Sequence, residues 1–504
     1  MNKIGIVATA ISRLYVDVID EDTIAEKAII AMLKQLDPHS TYLPPREAQQ
    51  TLEALSGKFD GIGVQISMVD DTLYVSQVIV GGPSEKAGLM AGDRIVAVDD
   101  SIVAGRHKSS AEIITMLRGK RGTKVNIAIA RRGTPDLLHF TITRDKIPVH
   151  SIDAEYMLDD TTGYIRLSRF AESSADEIKK AIKSLQKEGM KNLVLDLQGN
   201  GGGYLNVAVE IADMFLDDNQ LIVYTEGRNT RRAEEKATGK TLFPDGRLVI
   251  LVDETSASAS EILAGAIQDW DRGVIVGRRT FGKGLVQRPF NLPDKSLLRL
   301  TIARYHTPTG RCIQRPYVNG EDEEYENDLV ERLHNGELQY ADSTHFADSL
   351  QYRTLRNNRV VYGGGGIMPD CFVGLDTTIY TPYHRSLLRQ GILNRSIYAY
   401  LDAHRKEVSS KYKKVSKFIE RYEADAHLLA QVDTLAARAG IFPASKEERE
   451  KSQPLIALQL KALLARDLFD ASTYYMIYNP TNDIYRKAID IVNSQTYDQL
   501  LGNP

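Results

Sequence analysis

The 504-residue chain predicts a multidomain α+β protein, and three observations carry that reading. Its length exceeds what a single hydrophobic core organises, and roughly 150 residues per domain gives three or four units. The apolar pattern changes period along the chain, from helical, to short alternating strands after Gly57, to strand-helix alternation after Lys146, and back to helical near the end. Composition is ordinary for a globular protein, with 42% hydrophobic and 26% charged residues. The expected units are an N-terminal helical segment (1–56), a β-rich module (57–145), an α/β core with a largely parallel sheet (146–375) and a C-terminal helical extension (376–504). A formal net charge of -4 gives no basic excess for nucleic acid. No run approaches the roughly 18 apolar residues that span a bilayer. The two cysteines, Cys312 and Cys371, form no disulfide framework, and one bridge or two free thiols both fit.

Taken in order, Ile4 to Ile11 has only Lys3 before it and no small-residue cleavage site, so it reads as the opening of an amphipathic helix rather than a signal peptide. Between Ile24 and Leu36 the apolar residues keep helical spacing, giving one stripe for packing or dimerisation, and Asp37-Pro38 is expected to end it. His39 reads as a local capping or turn residue.

From Phe59 to Ile66 a glycine-bounded turn enters a strand, Tyr74 to Val80 alternates, Ser109 to Leu117 is helical and Val125 to Ala130 returns to strand. With Gly61-Ile-Gly-Val64 and the Ala87-Gly-Leu and Gly92-Asp-Arg-Ile runs, this order resembles a PDZ domain of the circularly permuted bacterial kind. The resemblance implies that Gly61, Ile62, Gly63 and Val64 bind substrate. Successive N–H groups of a Gly-x-Gly turn form a nest for a terminal carboxylate, and the adjacent strand edge accepts an extended peptide. The same glycines also fit a turn that only relieves backbone strain.

After Lys146-Ile-Pro-Val149, strands at Tyr164–Leu167 and Asn192–Leu197 alternate with helices at Ser174–Gln186 and Leu205–Phe215, which argues for a parallel sheet with its site at the strand ends. Gly199-Asn-Gly-Gly-Gly203 joins strand to helix. Tyr204 stands where a dinucleotide fingerprint has Gly, and no Gly-Lys-Ser/Thr follows, so a phosphate cradle is disfavoured. A backbone N–H aimed at an oxyanion and a purely structural tight turn remain. The charged stretches 226–241 and 318–348 read as solvated loops. From Thr381 onward, notably Pro454 to Leu464, the chain reads as helices for packing or oligomerisation.

Leu248–Val252 is a continuous apolar strand, and apolar residues at 259, 262, 263, 266 and 267 trace a helix face after it. Ser258 therefore falls at a helix N-terminus, where the Ala259 N–H suits an oxyanion. Ser258-Ala-Ser-Glu261 is equally a capping box, and alone Ser258 reads better as a cap. Ser256 and Ser260 are further caps or small packing residues. Lys283, on a glycine-flanked loop after Val274–Val276, changes the balance. A lysine serves as base only when neutral, which requires burial to lower its pKa from about 10.4. His306 reads as a structural or substrate-contact residue, and no metal-ligand spacing occurs.

The PDZ-like module, Asp196-Leu-Gln-Gly-Asn-Gly-Gly-Gly203, Ser256-Ala-Ser-Ala-Ser-Glu261, Thr280-Phe-Gly-Lys-Gly-Leu-Val-Gln287, Tyr305-His-Thr-Pro-Thr-Gly-Arg311 and Gly363 to Asp370 occur in the order typical of the carboxyl-terminal processing (tail-specific) proteases. Over about residues 20–375 the chain resembles that family. The resemblance implies a serine endopeptidase with a Ser/Lys dyad: Ser258 as nucleophile, Lys283 as general base, Gln287 orienting the amine, and Gly202 and Ala259 N–H groups as oxyanion donors. It implies an acyl-enzyme mechanism without cofactor or metal, protein or peptide substrates with free C-termini, and action in the periplasm or cell envelope. Homo-oligomers through the N- and C-terminal helices are a further expectation. The family often has Arg at the position of Gln198 and Pro at that of Gly201, so no ion pair is carried to that loop and a more flexible loop is expected. Two other classes also fit the residues: a non-catalytic PDZ-containing peptide-binding scaffold, and a small-ester hydrolase, which would have no use for a PDZ module.

Overall fold

The computed structural model describes residues 2–502. Its centre is a six-stranded sheet in the order Ile152–Met157, Thr162–Leu167, Asn192–Asp196, Leu248–Val252, Val274–Gly277 and Cys371–Phe372. Only the first pair is antiparallel. Leu248–Val252 is buried along its whole length, because such a strand turns apolar side chains to both faces and both must be covered. On one face Ile178, Ile211 and Leu263 bring in the helices Ser174–Lys187, Leu205–Asp213 and Ala259–Asp269.

The opposite face is covered from the far end of the chain. Ile484, Ala488 and Ile491 of the helix Asp483–Val492, with Tyr497 and Leu501, pack on Tyr164, Val194, Val249 and Val276. The C-terminal extension is helical, as its pattern predicts, but its last two helices complete the core. Only the segment around Leu387, Ile397, Phe418 and Leu460 has a hydrophobic centre of its own. That segment meets the PDZ module through Arg94–Asp402 (2.6 Å), Arg395–Asp70 (2.5 Å) and Ser67–Tyr398 (2.9 Å).

A second, antiparallel sheet holds Thr41–Leu43, Leu297–His306, Leu221–Gly227 and Thr230–Lys236, with Leu285–Asn291 also pairing Leu297–His306. Thr230–Lys236 corrects the expectation of a loop over 226–241. It is a strand at the sheet edge with its charged side chains in water, a composition that blunts edge pairing. The stretch 318–348 likewise contains a helix, Asp322–His334, fixed by the buried Tyr325 and Arg332.

In the PDZ module, Val64–Val69, Thr72–Val78, Arg94–Val98, Lys124–Ala130 and Leu138–Thr143 form an antiparallel sheet around Leu73, Ile95, Ile113 and Ile127. Val64–Val69 lies at its edge. The helix Ser110–Leu117 starts at a Ser109–Glu112 capping box. N-terminal to the module are helices Asn2–Leu14, Glu21–Leu33 and Pro45–Ser56. The second stops three residues short of Leu36, and Ile4, Ile6 and Val7 of the first are exposed. Both cysteines are free thiols, and among the described residues no helix is long and apolar enough to cross a membrane.

Candidate active site

The strand Leu248–Val252 ends in a turn that delivers Ser258 at φ +57°, ψ −112°, directly before the helix Ala259–Asp269. Such a backbone conformation costs a non-glycine residue about 1–3 kcal/mol and survives only where its surroundings fix it. The Ser258 N–H donates to Glu261 Oε2 at 2.8 Å, and the N–H groups of Glu261 and Ile262 donate to the Ser258 carbonyl at 2.9 and 3.0 Å. One arm of the capping box therefore exists and presents the serine. The flanking serines are committed elsewhere: Ser256 Oγ donates to the Leu197 carbonyl and Ser260 Oγ to the Asn200 carbonyl, each at 2.8 Å. They fasten the serine turn to the glycine loop, and of the three only Ser258 lines the cleft described below.

Glu261 is fully buried and reaches the lysine loop as well. Its carboxylate accepts Thr280 Oγ1 (2.6 Å), the Gly282 N–H (2.7 Å) and the Lys283 N–H (2.9 Å). Burial pushes its pKa up, against the pull of these donors. The loop is further held by the Arg315 N–H on the Gly282 carbonyl (3.0 Å), the Gly284 N–H on Gln314 Oε1 (2.8 Å) and the Arg332 guanidinium on the Thr280 carbonyl (2.9 Å). Tyr305 Oη donates to the Lys283 carbonyl at 2.7 Å and lies 3.1 Å from that of Ser258. His39 is more than a turn residue. Its ring lies edge-on to Phe281 and Tyr325, with Nε2 2.7 Å from Tyr325 Oη, and its pKa falls to about 3 through burial and then the nearby Lys283.

Ser258, Lys283, Gln287, Gly202 and Tyr305 line one cleft of about 460 Å³. Lys283 has its pKa lowered to about 8, first by burial and then by Arg299, while Glu261 and Asp37 act in the opposite direction. Among the described residues no hydrogen bond joins the Ser258 hydroxyl to the Lys283 amine, and the buried Gln287 Nε2 has no partner. The sequence-predicted trio shares a cleft without being linked by hydrogen bonds.

Gly202 sits at φ +98°, and a Cβ there would lie 2.7 Å from the Ala257 carbonyl oxygen and 2.9 Å from the Ala259 nitrogen. The glycine loop thus touches the serine turn through bare backbone. The Ala259 N–H makes no hydrogen bond among the described residues, whereas the Gly202 N–H donates to Asn200 Oδ1 at 2.9 Å. Asn200 is itself anchored through Nδ2 to the Leu167 carbonyl (2.8 Å). Gln198 makes no ion pair: its Oε1 accepts Asn482 Nδ2 (3.0 Å), and the charge pair beside the loop is Arg166–Asp196 (2.5 Å). His306 stacks on Tyr224 at 4.7 Å and contacts the Gly310 carbonyl, a structural setting.

In the PDZ module Gly63 has φ +79°, and the N–H groups of Ile62 and Gly63 make no hydrogen bond among the described residues. The Ile62 carbonyl accepts the Ser84 N–H and hydroxyl (3.0 and 2.6 Å), which fixes the turn beside the Val64–Val69 edge. Sequence pattern alone does not mark Glu261, Tyr305 and His39 as site-forming residues. Glu261 was visible only as the last residue of a capping box, and Tyr305 only as part of a motif.

The PDZ domain family matches residues 61–142, peptidase family S41 matches 161–322, and a family of unknown function, DUF8443, matches 383–470. The protein is thus a serine-type peptidase carrying a PDZ domain. The carboxy-terminal-processing protease of Bartonella bacilliformis is 35% identical over 319 residues, covering 62% of this chain and 72% of the relative. The carboxy-terminal processing protease CtpA of Bacillus subtilis is 35% identical over 311 residues, covering 61% and 66%. Among solved structures, a photosystem II D1 C-terminal processing protease is 32% identical, covering 62% of this chain and 84% of that one, with a TM-score of 0.36. The chain belongs to the carboxy-terminal processing protease family.

Proposed function

We propose that the protein is an endopeptidase that holds the C-terminus of a protein substrate on its PDZ domain and cleaves upstream through a Ser258/Lys283 dyad. The observation that carries this reading is that Ser258 and Lys283 line one cleft while Glu261 accepts a main-chain N–H from each. A lysine with pKa near 8 is substantially neutral under mildly alkaline conditions.

In the proposed cycle neutral Lys283 takes the proton of Ser258 Oγ as the oxygen attacks the scissile carbonyl, with Gln287 orienting the amine. The tetrahedral oxyanion is held by the Ala259 N–H and by the Gly202 N–H after it leaves Asn200. The Lys283 ammonium then protonates the leaving amine. Water, deprotonated by Lys283, hydrolyses the acyl ester on Ser258 and returns the free serine.

The PDZ reading rests on the unpartnered Ile62 and Gly63 N–H groups beside an edge strand, where Gly61 and Val64 flank the nest. By family resemblance we assign its action to the periplasm or cell envelope; fractionation of the producing cells tests this, and activity confined to the cytoplasm rejects it. The exposed Ile4, Ile6 and Val7 support a self-association role for the first helix, tested by sedimentation of a chain starting at Glu21; an unchanged mass distribution would reject it.

The deciding comparison is peptide cleavage by wild type, Ser258→Ala and Lys283→Ala at equal folded concentration. Loss of turnover in both is expected, and undiminished turnover in either removes the dyad.

A further inference from the structure

The cleft contains a second cation, Arg299, which helps to keep Lys283 neutral but to which the proposed cycle gives no contact with substrate. The strand Leu297–His306 turns Leu297, Arg299 and Tyr305 to the same side, and all three line the cleft with Ser258 and Lys283. Lys283 and Arg299 are the charged residues of that lining, and no Asp or Glu is among them. The remaining walls are uncharged, with Leu52, Leu55, Ile262 and Leu285 supplying apolar surface.

Arg299 differs from four largely buried arginines elsewhere in the protein. Arg278, Arg279, Arg311 and Arg332 each meet a carboxylate, at 2.6, 2.6, 2.6 and 2.8 Å. The side chain of Arg299 meets no carboxylate within ion-pair distance among the described residues. It has only the hydroxyl of Thr41, the residue opposite it in the sheet, which accepts from Nε and Nη2 at 3.3 and 3.2 Å. Nη1 has no partner. Burial alone accounts for the lowering of the Arg299 pKa, with no acid acting against it. A half-buried guanidinium without a counter-ion is an unfavourable arrangement in a resting protein, and a planar fork with free N–H groups matches a carboxylate.

We propose that Arg299 forms a carboxylate subsite within the cleft, so that the preferred polypeptide carries an Asp or Glu side chain close to the cleaved bond. The inference rests on the reading of Ser258 and Lys283 as the reacting pair. Arg299 acts on substrate choice: the acidic side chain neutralises it and fixes the register of the peptide across Ser258, while Thr41 holds the guanidinium in position.

The experiment is a set of matched peptides with one free C-terminus in common, in which a Glu/Gln pair is moved along the positions flanking the cleaved bond. The kcat/KM of each pair is measured with wild type, Arg299→Gln and Arg299→Lys. At one register wild type should prefer Glu over Gln by about tenfold, mainly through KM. Arg299→Gln should lose the preference and Arg299→Lys should keep part of it. Should Arg299→Gln prove too inactive to assay, the same ratio is read as Kd in the Ser258→Ala background, with and without Arg299→Gln. No register favouring Glu in wild type, or a preference that persists in Arg299→Gln, overturns the proposal. Failure of the dyad reading is distinguishable, because Ser258→Ala would then still cleave both members of every pair.

Discussion

Glu261 and Lys283 are joined through the main chain: the Lys283 N–H donates to Glu261 Oε2 at 2.9 Å, and the same oxygen accepts the Ser258 N–H at 2.8 Å. A single buried carboxylate oxygen therefore sets the separation of the two segments that carry the dyad. Glu261→Gln would bring an amide NH2 group into a ring of donors, leaving at least one of them unsatisfied at about 1–3 kcal/mol. We expect a fall in kcat of tenfold or more together with a lower thermal midpoint. Wild-type kcat in Glu261→Gln would contradict the role.

The pH dependence follows from Lys283. The neutral amine is the active form and its pKa is about 8, so kcat/KM should rise with pH and reach half its maximum near that value. Arg299 disfavours the ammonium, so Arg299→Gln should move the midpoint to higher pH. A flat profile from mildly acidic to alkaline pH would contradict this.

The same shift bears on stability. Below pH 8 Lys283 is charged in both folded and unfolded chains, and the folded state carries the cost of its burial. As pH rises from about 8 toward the unfolded value of about 10.4, the folded group releases its proton first and that cost disappears. Lys283→Met should therefore be more stable than wild type at neutral pH, with the difference shrinking through that window in denaturant titrations. A pH-independent difference would point to packing instead.

Gly202 tests the contact between glycine loop and serine turn. A Cβ at this position would meet the Ala257 carbonyl oxygen, Ser258 Cβ and the Ala259 nitrogen, all inside 3.0 Å and on a backbone at φ +98°. Gly202→Ala should retain the fold by circular dichroism and lose about 10²–10³ in kcat, the size expected for a displaced oxyanion donor. Retained activity would separate this loop from the reaction.

For the PDZ module, a peptide with an amidated C-terminus should bind Ser258→Ala about tenfold more weakly than the free acid, because the Ile62 and Gly63 N–H groups lose their anion. Isothermal titration reads the difference, and equal affinities would remove the Gly61–Val64 turn from carboxylate recognition.

The sequence made legible what depends on period and on local turns. The strand Leu248–Val252, the helix start at Ser258 and the glycine-flanked lysine loop follow from apolar runs and glycine positions. It did not disclose contacts between segments distant along the chain. The pairing of Thr41 with Arg299, the docking of His39 on the lysine loop and the return of Ile484 and Ile491 to the sheet each join residues more than 200 positions apart, and no local pattern encodes them. The charged strand Thr230–Lys236 escaped notice because its side chains are solvated while its backbone pairs with Leu221–Gly227, an interaction that composition does not report. Glu261 reads as a helix cap for the converse reason: its bond to Ser258 is local, but its bonds to Thr280, Gly282 and Lys283 are not.

The central claim is that Ser258, and neither of its neighbours, becomes acylated. Wild-type enzyme mixed with a peptide substrate and quenched in acid within the first turnover should yield, after digestion, a Ser258-containing fragment heavier by the acyl mass of the N-terminal product, and Ser258→Ala should yield none. An adduct on Ser256 or Ser260, or turnover without any adduct under conditions where deacylation is slowed, would contradict it.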